Sequence, residues 1–245
     1  MIFDSHMHVG DFPMFNVSID RDGLVAEMRE QGVSTGLVFH PDNAMVHDIV
    51  MATPGVYGLV WANPRQGDAV SETVRLLDEP GSRFRGVKLH PLLDGYHPDD
   101  PAVHPIIELL IERGLPALIH CGHPIFTLPW SIEELISRYP DARIILGHMG
   151  HGNIIYINAA IDVAVRNEHV YLETSGMPMH SKIREAVERV GPDRVLYGSD
   201  TPFHHPSVEL AKVRVSGLPA DLTERVLGEN GRKLFFGEDA PEAVA

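Results

Sequence analysis

Cysteine is nearly absent. Cys121 is the single one in 245 residues, so no disulfide can form within the chain. Long apolar runs are missing too. None approaches the roughly 20 residues that a membrane-spanning helix needs. The N-terminus, MIFDSHMHVG, lacks the basic start and apolar core of a secretory signal, so a cytoplasmic location is expected. Positive charge is in short supply: 20 Lys and Arg stand against 34 Asp and Glu, a formal charge of -14. With no basic run, a chain this acidic is repelled by phosphate backbones and anionic membranes, which excludes nucleic acid and membrane as expected partners. No Gly-x-Gly-x-x-Gly follows an apolar run and there is no P-loop, which argues against nucleotide binding. Linkers, low-complexity segments and shifts in composition are also missing, so residues 1–245 are expected to form one domain.

What is present is ordinary in bulk and unusual in one residue type. Hydrophobic residues make up 44% and charged residues 22%, proportions that exclude disorder as the main state. Histidine is the outlier, with 15 copies, several beside apolar segments. It is the commonest metal ligand and a frequent general base.

The apolar segments are short: Met1–Phe3, Thr35–Phe39, Val56–Ala62, Phe84–Leu89, Ala117–His120, Ala142–Leu146, His169–Leu172 and Arg194–Tyr197. Each is too short for a helix and too continuous for a half-exposed strand, as in a parallel sheet buried on both faces. Amphipathic stretches separate them: Asp20–Gln31, Gly67–Asp78, Pro101–Arg113, Ser131–Tyr139, Ile154–Asn167, Ser181–Val190, Pro206–Val215 and Asp221–Phe235. Ser131-x-x-Glu134 reads as a capping box. Eight strand–helix units in this length predict a single α/β domain, a (β/α)8 TIM barrel with parallel strands. An open doubly wound sheet is the alternative. The connections after the strands look short, so any lid is small or comes from a neighbouring subunit of a homo-oligomer.

Polar residues gather where the strands end, which in such a barrel is one mouth. The first strand runs into Asp4-Ser5-His6-Met7-His8; the fifth ends at His120, the sixth at Gly147-His148, the eighth at Gly198-Ser199-Asp200. Side chains two apart on an extended chain point the same way, so His6 and His8 can face one ion. His120 and Asp200 would add a third nitrogen and a carboxylate. Such a set with an open position suits a catalytic divalent ion, Zn2+ first, one ion or two. The ion would lower the pKa of bound water from 15.7 to roughly 7 and supply a metal-bound hydroxide.

These segments, with Gly86-Val87-Lys88-Leu89-His90-Pro91, Gly147-His148-Met149-Gly150 and Gly198-Ser199-Asp200-Thr201-Pro202, resemble the amidohydrolase superfamily, and within it the amidohydrolase-related (amidohydrolase 2) group. The likeness runs through Leu227–Phe235. That group includes hydrolases and metal-dependent non-oxidative decarboxylases of the aminocarboxymuconate-semialdehyde and resorcylate type. The resemblance implies His6, His8 and His120 as metal ligands, and Asp200 as ligand and general base. His148 becomes a catalytic residue that handles water or substrate, or binds a second metal.

Three residues are candidates for substrate binding. Lys88 lies in an otherwise apolar strand and either meets an anionic substrate as a cation, bridges two metals as a carbamate, or reaches solvent. His90 can line the site beside it, and Arg65 can meet an anion from the loop after the third strand. His40, Trp61, Glu173 and Ser175 are read as pocket wall or support, His123 and His151 as pocket lining, and His204-His205 as a loop pair. Alternation turns Cys121 away from His120 into the core.

The expected activity is metal-dependent hydrolysis of an ester, lactone or amide bond in a small, anionic molecule. Decarboxylation of a small carboxylic acid, aromatic ones included, by the same residues is the alternative. A non-catalytic metal- or ligand-binding barrel is the third reading.

Overall fold

A computed structural model describes residues 1–237. The barrel strands are β1 (Ile2–His8), β2 (Val33–Phe39), β3 (Val56–Trp61), β4 (Phe84–Leu89), β5 (Ala117–His120), β6 (Ile144–Gly147), β7 (Val170–Glu173) and β8 (Val195–Leu196). They pair in chain order, all parallel. β8 is only two residues long. The barrel is closed by irregular contacts instead: a Met7–Thr201 bridge, Ser5 N donating to Tyr197 O (3.1 Å), His8 N to Thr201 O (2.7 Å) and Asp200 N to His6 O (2.7 Å). The result is a (β/α)8 TIM barrel.

Side-chain alternation divides the apolar residues into two clusters. Val38, Val60, Val87, Ile119, Cys121 and Leu146 pack outward against the helices. Phe3, Leu37, Phe39, Leu59, Trp61, Leu118, Ile145 and Leu196 fill the barrel from inside. The last helix, Asn230–Phe236, plugs the lower end, where Phe235 stacks on Phe3 at 5.9 Å. The interior below the mouth is thus solid, and the functional side chains can meet only at the top.

Strand ends differ from the sequence expectation by a few residues, with one consequential case. β1 does not stop at Phe3 but runs through His8, so both histidines project from regular strand. Asp20 caps the helix Arg21–Gln31 by accepting from Gly23 N at 2.8 Å, and Gly32, at φ 70°, ends it.

Other expectations are corrected. The helix after β5 starts at Pro129 rather than Ser131, because proline fits the first turn, where its missing N–H costs nothing. Ser131 lies inside that helix and does not cap it. The main helix after β4 begins at His104, not Pro101. A helix at Asn43–Ala52, which the sequence did not single out, follows β2, with Val46 and Val50 buried. The closing stretch is not one regular helix but Ala220–Glu224, a wider π turn at Arg225–Glu229, and Asn230–Phe236. At Gly231 a Cβ would press into the Phe3 ring, which is why glycine stands there. Finally, the connection after β1 is not a plain short loop. It folds into an antiparallel hairpin, Gly10–Phe12 with Val17–Ile19, that leans over the mouth.

Candidate metal centre

The mouth encloses a cavity of about 240 Å³ lined by His8, Lys88, His90, His120, His148 and Asp200 at its base. Phe12, Phe15, Leu93, Phe203 and the histidines His123, His151 and His204 form its walls. Strand ends deliver the base; the hairpin and the turns after β4, β5, β6 and β8 deliver the walls.

His6 and His8 both reach Asp200. His6 Nε2 lies 3.3 Å and His8 Nε2 3.0 Å from Asp200 Oδ1. The other nitrogen of His6 donates to Glu173 Oε2 at 2.7 Å. His148 Nε2 lies 3.0 Å from His120 Nδ1, and His120 Nε2 lies 2.8 Å from His123 Nδ1. The described residues whose donor atoms all fall within 4.8 Å of one another are His6, His148 and Asp200, all buried. His8 adjoins this group through Asp200, and His120 reaches it through His148. His148, read from the sequence as a catalytic residue, therefore stands inside the donor group.

A divalent cation fits these residues on two observations. The lone pair of His6 Nε2 faces a carboxylate oxygen, an arrangement of two acceptors that calls for a positive charge between them. His8 Nδ1, on a ring that adjoins the group, is also buried without a hydrogen-bond partner among the described residues. Two imidazoles and a carboxylate make a donor set for zinc or manganese-type ions.

The electrostatics are those of buried groups. Burial pushes His8 down to about 4, and holds His90, His120 and His148 well below the ordinary imidazole value. They are neutral, as metal ligation requires. For Asp200, burial opposes charge, but the adjoining His6 and His8 imidazoles outweigh it and hold the carboxyl well below its ordinary value. Burial and the Lys88 ammonium push His6 down, yet the Glu173 and Asp200 carboxylates leave it raised.

Lys88 does not reach solvent. It is fully buried, its Nζ 3.4 Å from His6 Nε2, and burial brings it down to about 8. His90 stacks between Trp61 (5.4 Å) and His120 (4.2 Å) and forms one wall. Arg65, by contrast, is not among the residues lining the cavity; its guanidinium donates to Gly95 O at 3.0 Å. His40 also lies outside, bonding Asp11 O and holding the hairpin. His204 does line the cavity, 3.7 Å from Asp200 Oδ2, while its neighbour His205 caps the helix Pro206–Arg214.

The sequence reading missed Phe12, Phe15 and Phe203; the rings of Phe12 and Phe15 each meet that of Phe203, with centroids 5.1 and 5.2 Å apart. Nothing local marks them, although Phe203 follows Asp200 by three residues. The reading also had no means of seeing that His148 (φ 64°) and Asp200 (φ 57°) adopt the left-handed region. Side chains with such a backbone concentrate at functional sites.

Known proteins share this architecture. A manganese-bound dihydroxybenzoic acid decarboxylase from Polaromonas sp. superposes with a TM-score of 0.76 at 18% identity, covering 96% of each chain. A zinc-bound amidohydrolase from Burkholderia multivorans gives 0.77 at 16%, covering 96% of this chain and 99% of that one. At these identities the likeness speaks for the fold. In sequence, a gamma-resorcylate decarboxylase from Polaromonas sp. is 34% identical over 88 residues, spanning 29% of this chain and 27% of that protein. An L-fucono-1,5-lactonase from Burkholderia ambifaria is 25% identical over 230 residues, 81% of this chain and 74% of the lactonase. The amidohydrolase family profile matches residues 6–237, from the first histidine of β1 to the end of the closing helix. Because that match takes in every strand end that builds the mouth, the chain belongs to the amidohydrolase family.

Proposed function

We propose that this protein is a metal-dependent, non-oxidative decarboxylase of small, single-ring aromatic carboxylic acids. One observation carries the reading. The cavity pairs aromatic and apolar walls (Phe12, Phe15, Leu93, Phe203 and the His90–His120 stack) with a single buried ammonium, Lys88, beside the donor group. Its volume of about 240 Å³ suits one substituted ring. A flat ring gains from stacking on such walls, and a carboxylate gains from a desolvated cation.

His6, His148 and Asp200 would hold a divalent ion, which would supply a Lewis acid for the acidic end of the substrate. The protein's own groups do the rest. Lys88 attracts the carboxylate to the base of the cavity. Phe203 and Phe12 hold the ring and exclude water. Asp200, ionised at rest, accepts the proton of a ring hydroxyl of the substrate and delivers it from a carboxyl oxygen to the ring carbon that bears the carboxylate. The C–C bond then breaks, its electron pair returns to the ring, and CO2 leaves. His148, beside Asp200, orients that carboxyl.

A second reading, hydrolysis of a small lactone, is favoured by the similarity to the lactonase over most of both chains. There Asp200 acts in the opposite sense and accepts a proton from water. The experiment is to offer the metal-loaded protein a panel of hydroxybenzoates and small lactones in 18O-labelled water. Release of CO2 with no label in the ring product is expected. Ring opening of a lactone with one 18O incorporated, and no CO2 from any aromatic acid, would overturn the decarboxylase reading.

A further inference from the structure

Glu173 ends β7 with no solvent exposure. Its two oxygens accept four hydrogen bonds. Oε2 takes His6 Nδ1 (2.7 Å), the Ser175 hydroxyl (2.8 Å) and His148 N (3.1 Å); Oε1 takes Ser175 N (2.5 Å). The space is reserved for this carboxylate: a Cβ on Gly198 would overlap Oε1.

The proton positions on the neighbouring rings follow from this arrangement. An ionised carboxylate only accepts, so His6 carries its proton on Nδ1 and keeps the lone pair on Nε2. That is the nitrogen facing Asp200 and Lys88. The Ser175 hydroxyl has one proton and spends it on Glu173. Towards His148 Nδ1, 3.0 Å away, it can then only accept. His148 therefore carries its proton on Nδ1 and also keeps its lone pair on Nε2. The order continues outward. When the His148 Nε2 lone pair holds no ion, His120 Nδ1 donates to it, which leaves His120 Nε2 to accept from His123 Nδ1.

We propose that Glu173 is the positioning residue of the metal site: with Ser175 it selects the Nε2-lone-pair tautomer of His6 and His148 and fixes both ring angles. The proposal rests on reading His6 and His148 as metal donors. A carboxylate behind a ligating histidine orients the ring and raises its basicity, and losing one weakens metal binding about 10–100-fold. Here one carboxylate serves donors on two strands, β1 and β6.

The test is Glu173→Gln, which keeps the volume but offers one acceptor atom where two were used. Zn2+ affinity, measured against a competing chelator, should fall about 10–100-fold. The circular dichroism spectrum should be unchanged. In 15N-resolved NMR of imidazoles, His6 of the wild type should be protonated on Nδ1 and ligate Zn2+ through Nε2, and the variant should lose this pattern. Ser175→Ala should disturb the His148 signals and leave those of His6. Wild-type Zn2+ affinity in a folded Glu173→Gln would overturn the proposal. So would ligation of Zn2+ by His6 Nδ1 in the wild type, a measurement that decides the matter even if the variant fails to fold. Failure of the wild type itself to bind Zn2+ overturns the metal reading and this one together, whereas equal binding by both proteins overturns this one alone.

Discussion

Lys88 Nζ stands 3.4 Å from His6 Nε2 and 4.7 Å from the centre of the Phe39 ring, a buried ammonium that makes no ion pair among the described residues. A charge taken out of water without a partner is costly. In the proposed reaction the substrate's carboxylate is that partner. Lys88→Met should retain the wild-type metal content and raise KM for an anionic substrate roughly tenfold, a loss of about 1.4 kcal/mol of binding. The metal-free variant should melt no lower than the wild type, since an unpaired charge has been removed. If metal content instead halves, and bicarbonate alters activity only in the wild type, Lys88 is a carbamate bridge.

Asp200 is held by two imidazoles, His6 and His8, both through Oδ1. Asp200→Asn keeps the size and one oxygen but removes the carboxylate proposed to move the proton. Turnover should fall by about 10²–10⁴. Metal content, measured by elemental analysis, should fall less than in His6→Ala. Near-normal turnover in Asp200→Asn would leave it a plain ligand.

Metal removal should show in stability, because the donor group exists only in the folded barrel. At a free ion concentration about 100 times Kd, binding adds roughly 2.7 kcal/mol. For a chain of this size that corresponds to about 5–10 °C in Tm. Calorimetry with and without chelator measures it. An unchanged Tm would count against a tight site.

The pH dependence of stability has an identified contributor away from the metal donors. Glu209 is buried against Lys212, with its carboxylate accepting from Gly176 N at 3.2 Å. Burial raises it to about 7, with Lys212 and the Gly176 amide pulling the other way. Since the folded state holds this proton more tightly than the unfolded chain, its contribution is full below about pH 4.5 and is lost as pH rises towards 7. The size is on the order of 2–3 kcal/mol. Glu209→Gln should flatten the fall in Tm between pH 5 and 7. An identical slope in the variant would assign the effect elsewhere.

The barrel was legible because its signal is local. Runs such as Phe84–Leu89 and Ala117–His120 carry their own strand pattern, and the structure keeps these two at the same boundaries. The helix Asn43–Ala52 escaped notice because Ala44, Met45, Val46, Ile49, Val50 and Met51 surround most of its circumference, which blurs a helical period. Strand ends likewise announced His6, His8, His120, His148 and Asp200. What could not be read was anything set by distant pairing. Glu173 looked like one more wall residue, because its partner His6 lies 167 positions away. Arg65 looked suited to an anion, but a loop turns its guanidinium onto the Gly95 carbonyl. The aromatic wall depends on a hairpin whose lean over the mouth has no signature in Gly10–Ile19.

The two-residue β8 and its irregular junction with β1 bear on how this molecule comes to exist. His8 and Asp200 are separated by 192 residues, so no fragment from either half holds the donor group. During synthesis the N-terminal histidines must wait, unligated, until nearly the whole chain has emerged and the last strand has docked. Capture of an ion by this group would therefore be a late event, a clasp on a finished ring rather than a nucleus for it. The circle is weakest where it joins, so circular permutants that place the β8 unit directly ahead of β1 in the chain should relieve any dependence of ring closure on the ion.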